Sequence, residues 1–245
     1  MNQPLSIIPL GNLALAFIPV AVVIFILYKW SLDSKHAIYA LSRMLVQLLL
    51  VGYFLTYLFN NDNMLVVLCV LMIMLFFSSW IALSNIQASR IKLLKSALIS
   101  IFLSGIFTLL IVTQGVLQLQ TWYHAQTIIP LAGMIFANCM NSVSLSGERF
   151  YAEIDRGESY LKARKVAFQA SIIPNVNALF AVGLVSLPGM MTGQILSGIS
   201  PFIAARYQIM VMCMVFASAG IAAALFLVLI KPIHKKAQPP KLSDK

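Results

Sequence analysis

Seven apolar runs constrain this chain more than any other feature. They cover about residues 7–28, 41–59, 64–83, 97–116, 128–145, 178–196 and 207–230, and apart from Arg43 they carry no charge. A helix that crosses a bilayer needs about 20 mostly apolar residues, and each run is near that length. Composition agrees. Of the 245 residues 60% are hydrophobic and 10% charged, against about 25% charged in a typical soluble domain. A soluble globule of this size could not be coated with so little polar surface. A cytosolic enzyme, a secreted disulfide scaffold and a disordered tail protein are therefore excluded. The expected fold is all-α and polytopic, with about seven transmembrane helices. The first run contains Pro9 and Pro19, has no Lys or Arg before it and lacks a small-residue cleavage site. It reads as a retained helix kinked near Pro19, not as a signal peptide.

The charges set an orientation. Lys29, Lys35 and Arg43 follow the first run, and Arg90, Lys92 and Lys95 follow the third. Arg149, Arg156, Lys162, Arg164 and Lys165 follow the fifth, and five lysines follow the last. Of the basic residues, the alternate connections hold only Arg206. Basic residues are retained on the cytoplasmic side, so the N-terminus is expected outside and the C-terminus inside. The net charge of +10 then reports topology and does not call for a nucleic acid partner. Residues 1–232 read as one transmembrane domain and 233–245 as a polar cytoplasmic tail.

No ionisable group lies near the centre of a run, which weighs against a proton-coupled carrier. No G-x-S-x-G, H-E-x-x-H or G-x-x-x-x-G-K-[ST] pattern is present, so neither a protease nor a phosphate-cradling loop is encoded. Cys69, Cys139 and Cys213 lie singly in apolar runs and read as packing residues. Neutral polar groups remain. Gln47 lies one turn after Arg43. Met134, Asn138 and Asn141 share one helix face at i, i+4 and i+7. Such amides either line a pathway or hydrogen-bond helices together. Met210, Cys213 and Met214 also share a face. Soft donors of this kind can bind soft metals, but gap-filling is the simpler reading.

Two segments stand apart. Residues 147–175 hold four of the seven acidic residues. With Phe150, Ile154, Leu161 and Phe168 as an apolar stripe, the segment reads as an amphipathic cytoplasmic helix, or a pair broken near Gly157. Its mixed charge suits a protein partner better than an anionic membrane surface. The second segment, residues 183–194, places Pro188 and Gly189 inside an apolar run. A helix break at membrane depth is tolerated where protein or a water-filled cavity satisfies the freed backbone. Gly189 and Gly193 also form a small-x-x-x-small step.

These residues resemble a known family. Ile129-Pro-Leu-Ala-Gly-Met-Ile-Phe-Ala-Asn138 with Asn141 and Ser144, Glu148-Arg149-Phe150, Ile173-Pro174 with Asn177, Val182-Gly-Leu-Val-Ser-Leu-Pro-Gly-Met-Met-Thr-Gly-Gln194, and Tyr207-Gln208-Ile209 are similar to the FetB-like iron-export ABC permeases. Arg43 with Gln47 and Val51-Gly52-Tyr53 extend the likeness upstream. The resemblance implies a permease subunit in the cell inner (plasma) membrane that is not itself an enzyme. It implies a homodimer and a separate ATP-binding cassette ATPase. No cofactor is expected in this chain, with ATP bound by the partner. It also implies iron efflux, or export of a nucleotide-sugar or other small molecule as in the plant relatives. Gln47, Met134, Asn138, Asn141, Met190 and Met191 are the expected transport pathway, and Pro188, Gly189 and Gly193 the helix break. Glu148, Arg149, Phe150, Glu153, Ile154, Gly157 and Glu158 are expected to couple to the ATPase. One departure is visible. The stretch from Glu148 to Pro174 is shorter than the family pattern, and the Leu-Gly-Ala-like turn expected after Glu158 has no clear counterpart. A non-transporting assembly or regulatory subunit is the rival reading.

Overall fold

The structure, a computed structural model, describes residues 8–59, 63–86 and 89–231. These residues fall into two compact units that divide between residues 61 and 62. The first unit holds α1 (Leu10–Leu15), α2 (Phe17–Lys29) and α3 (Ser34–Phe59). The expected kink lies at Ala16, between α1 and α2, three residues before Pro19. Pro19 has no N–H for the carbonyl four residues back, so the helix yields there. α2 packs on α3.

The second unit contains α4 (Met64–Ala82), α5 (Arg90–Leu110), a π-helical turn (Ile111–Val116), α6 (Ala125–Asp155), α7 (Tyr160–Ala181), α8 (Gly189–Leu196) and α9 (Pro201–Leu229). α6 is central and packs against α4, α5, α7 and α9. Asn63 starts α4 by accepting the Leu65 N–H at 2.9 Å. Polar side chains tie the helices where apolar ones would only fill space. The Ser104 hydroxyl of α5 donates to the Ser218 carbonyl of α9 at 2.7 Å, and the Cys139 thiol of α6 donates to the same carbonyl at 3.3 Å. All three residues are fully buried. Cys139 is thus a packing residue with a polar tie.

Among the described residues, six helical segments are long and apolar enough to cross a membrane: Leu10–Lys29, Ser34–Leu55, Met64–Ala82, Arg90–Val116, Ala125–Asp155 and Pro201–Leu229. The chain is an all-α, multi-pass membrane protein. The sixth apolar run, 178–196, is not one helix. It is divided among the last turn of α7, a non-helical stretch at 182–188, and α8. The break therefore begins before Pro188. Val182 is extended and Gly183 has φ +80°, with the Leu184 N–H donating to the Ala181 carbonyl at 3.2 Å. That is a type II turn, whose third residue needs positive φ and so favours glycine. Pro188 is the N-cap residue of α8 and not a kink within a helix.

Residues 147–175 are helical and broken at Gly157, in two helices and not one. Gly147 to Asp155 continue α6, and Tyr160 onward belongs to α7. Only 156–159 connect them. Gly157, at φ +85°, closes α6: its N–H donates to the Ile154 carbonyl at 2.9 Å and the Glu158 N–H donates to the Glu153 carbonyl at 3.1 Å. This is the paired C-terminal motif that needs a left-handed residue. Ser159 then caps α7 by accepting the Lys162 N–H at 3.4 Å. α6 and α7 form a helical hairpin with a four-residue turn.

Candidate functional site

α6 joins two places that differ in chemistry. Its 31 residues span about 46 Å at 1.5 Å per residue, longer than the about 30 Å of bilayer hydrocarbon. One end therefore projects. The Glu153 end carries the charged residues, and that end meets the hairpin turn.

At the other end is an open cleft of about 410 Å³. Its walls come from the connection after the π-helical turn (Leu117), the first turns of α6 (Gln126, Thr127, Pro130, Leu131, Met134), α8 (Met190) and α9 (Tyr207, Met210). Pro130 has no N–H, so the Gln126 carbonyl loses its ordinary helical donor at this wall. Among the described residues, no charged side chain lines the cleft. The structure thus brings together Met134 and Met190 from the expected pathway. Met210 joins them, although its spacing with Cys213 and Met214 pointed to gap-filling. Met214 does fill the core, Cys213 is exposed, and only Met210 reaches the cleft.

The other expected pathway residues lie elsewhere. Asn138 is half-buried, and its Nδ2 donates to the Met134 carbonyl of its own helix at 2.8 Å. Asn141 is exposed, one turn further from the cleft. Met191 is half-buried and does not line the cleft. Gln47 belongs to the first unit, where it is exposed. With its amide turned to satisfy both groups, its oxygen accepts from Arg43 Nε at 3.0 Å and Nη2 at 3.3 Å. Gly189 and Gly193 are exposed on α8, and a Cβ on either would meet no atom of the second unit's described residues within 4 Å. Gln194 and Gln208, by contrast, have buried side-chain oxygens with no hydrogen-bond partner. Gln208 lies next to Tyr207 of the cleft wall. Sequence alone marks these amides only as polar residues near helix ends.

The hairpin tip is built around Glu153 and two aromatic residues. Glu153 is 7% exposed. Its carboxylate accepts from Arg149 at 2.7 Å and from Arg156 at 3.1 Å. Phe150 is fully buried, edge-on to Tyr151 and Tyr160 at 5.4 and 5.7 Å between ring centres. The Tyr160 hydroxyl donates to the Leu227 carbonyl of α9 at 2.9 Å. Lys231 and Arg164 lie over the Tyr160 ring at 5.4 and 5.7 Å, within cation–π range. Ile154 packs against the same core.

The expected coupling residues therefore separate into two groups. Phe150, Glu153 and Ile154 face inward and set the shape of the tip. Their burial leaves a docking partner little to touch. Glu148 and Gly157 are exposed, and Arg149 and Glu158 are half-exposed; beside them Asp155, Arg156 and Lys162, not among the expected residues, are exposed too. Glu158 accepts from Lys162 at 2.6 Å. That hydrogen bond, with the carboxylate's charge, raises the Lys162 ammonium above its ordinary pKa. Among the described residues, no group of three His, Cys, Asp or Glu side chains could hold a metal ion.

Comparison with known proteins follows the same lines. No solved structure gives a significant match. The chain is 38% identical over 197 residues to the UPF0014 membrane protein slr1647 of Synechocystis, covering 74% of this chain and 76% of the relative. It is 34% identical over 232 residues to the probable iron export permease protein FetB of Escherichia coli, covering 86% of each. It is 26% identical over 225 residues to the protein ALUMINUM SENSITIVE 3 of Arabidopsis thaliana, covering 85% and 81%. The model of the uncharacterised protein family UPF0014 matches residues 10–164 and 155–233, two stretches that overlap over residues 155–164, across the α6–α7 turn. The chain belongs to the UPF0014 family of membrane proteins.

Proposed function

We propose that this chain is the permease subunit of an ABC-type exporter in the cell inner (plasma) membrane, energised by a separate ATP-binding cassette ATPase. The proposed cargo is a metal ion, with iron favoured by the likeness to a relative named a probable iron export permease. The chain works as a homodimer, is not itself an enzyme and carries no cofactor; ATP is bound by the partner subunit. The observation that carries this reading is the continuity of α6, which runs from a charged, projecting hairpin to an uncharged cleft. A helix is stiff along its axis. A push on the exposed face of the turn tilts α6 and moves Met134 relative to Met190 and Met210. The break at 182–188 supports this motion, because it lets α8 move without α7. Neutral walls suit a pathway that must release what it binds.

The cleft volume also supports a second cargo class. About 410 Å³ falls within the range of small-molecule pockets, as export of a nucleotide-sugar or similar small molecule would need. Co-purification with a tagged ATPase from the same cell tests the permease reading. Stable association and stimulated ATP turnover are expected. Neither association nor stimulation would instead leave a non-transporting assembly or regulatory subunit. Cellular iron in a strain lacking the protein tests the cargo: accumulation supports metal efflux, and unchanged metal with altered nucleotide-sugar export supports the second class.

A further inference from the structure

The cleft collects three thioethers from three separate elements: Met134 of α6, Met190 of α8 and Met210 of α9. They are far apart in sequence, and only the fold gathers them. All three are half-buried and line the cleft. The remaining polar groups on the wall are neutral: Gln126, Thr127 and Tyr207.

This donor set discriminates among cations. Hard ions such as Mg²⁺, Ca²⁺ or Al³⁺ require several oxygen ligands, usually including carboxylates. The cleft has no carboxylate. Thioether sulfur is a soft, uncharged ligand that selects soft ions, above all Cu(I). Charge acts in the same direction. The cost of moving an ion out of water rises with the square of its charge, so a monovalent ion costs about a quarter of a divalent ion of equal size. A site with no compensating negative charge can hold the first far more readily than the second.

We propose that the cleft binds a soft monovalent cation of the Cu(I)/Ag(I) class through the thioether sulfurs of Met134, Met190 and Met210. This keeps the permease reading, on which it rests for the claim that the bound ion is transported, but assigns the metal cargo to the soft monovalent class in place of iron.

The test is titration of the purified full chain in lipid nanodiscs with Ag(I), and separately with Fe(II) under anaerobic conditions. Cys69 and Cys213, the two exposed thiols, are changed to Ala throughout, because free thiols also bind Ag(I). The protein with its methionines intact should bind one Ag(I) saturably and Fe(II) much more weakly. The variant Met134→Leu/Met190→Leu/Met210→Leu should lose at least tenfold in Ag(I) affinity. Leu and Met have similar volume, so a packing role would survive this change. Equal Ag(I) affinity in the variant, absence of saturable Ag(I) binding, or Fe(II) binding of equal strength would overturn the proposal. Should the variant fail to fold, X-ray absorption of the Cu(I)-loaded unsubstituted protein decides: a sulfur shell supports the site and an oxygen-only shell refutes it. ATPase stimulation, measured on the same preparation, separates the two readings. A stimulated ATPase without Ag(I) binding removes only the thioether site. Ag(I) binding without any ATPase association removes the permease reading and leaves the site.

Discussion

The Tyr160 hydroxyl, at the start of α7, donates to the Leu227 carbonyl near the end of α9 at 2.9 Å. The bond ties the hairpin turn to the helix whose other end supplies Tyr207 and Met210 to the cleft. Tip and cleft are thus connected twice, through α6 and through α9.

Tyr160→Phe keeps the ring against Phe150 and removes only the hydroxyl. A net hydrogen bond contributes about 1 kcal/mol, so the unfolding temperature should fall by a few degrees. ATPase binding should persist while transport per ATP hydrolysed declines. Thermal unfolding of the purified protein and a coupled transport–ATPase assay measure the two effects.

Phe150→Ala tests whether this residue is core or contact. Truncating a fully buried Phe costs about 3–5 kcal/mol. The variant should express poorly or unfold far earlier than the parent. A parent-like unfolding temperature with lost ATPase binding would instead make Phe150 a docking residue.

Glu153→Lys and Glu148→Lys separate shape from contact in the same way. Glu153 is buried between two arginines, and a lysine there would add a third cation to a site without an anion. That change should lower stability by about 3 kcal/mol or more and disturb the whole tip. Glu148 is exposed, where a substitution normally changes stability by less than about 0.5 kcal/mol. Glu148→Lys should weaken ATPase association at an unchanged unfolding temperature. Paired thermal unfolding and pull-down measurements distinguish the two patterns.

Asn138→Leu addresses the amide face. The Nδ2 bond runs to the Met134 carbonyl of the same helix, so its loss breaks no tie to another helix of the chain. Stability should change by about 1 kcal/mol at most, and the dimer should remain assembled. Transport should fall if the amide oxygen serves the pathway. Size-exclusion chromatography with a transport assay checks both. A dissociated dimer would assign the residue to subunit packing.

Hydropathy made most of the helices legible, because about 20 apolar residues have few alternatives to spanning. It could not place helix ends outside the apolar region. The charged stretch after Ser146 reads as an amphipathic helix, or a pair broken near Gly157, but its apolar stripe does not show that its first part continues the membrane-spanning α6. Hydropathy reports the solvent a residue prefers and not its backbone conformation, and Arg149 with Glu153 is a helix-stabilising i, i+4 pair. Pro174 lies inside α7 for a related reason: neighbouring helices can support a proline that a lone helix would reject. Gly183 was the hidden terminator. Its role depends on a positive φ that no periodicity signals, whereas Pro188 and Gly189 are visible as residue types. Met134 and Met190 stand together in the expected pathway. Their partnership with Met210 depends on how α6, α8 and α9 pack, which one-dimensional spacing does not contain.

The most direct test of the central claim is ATP-driven flux through the reconstituted complex. Permease and ATPase are placed together in liposomes, and metal movement is followed on adding ATP. ATP should drive transport that is abolished by omitting either subunit and reduced by Glu148→Lys. Transport that proceeds equally without ATP, or without this chain, would contradict the account.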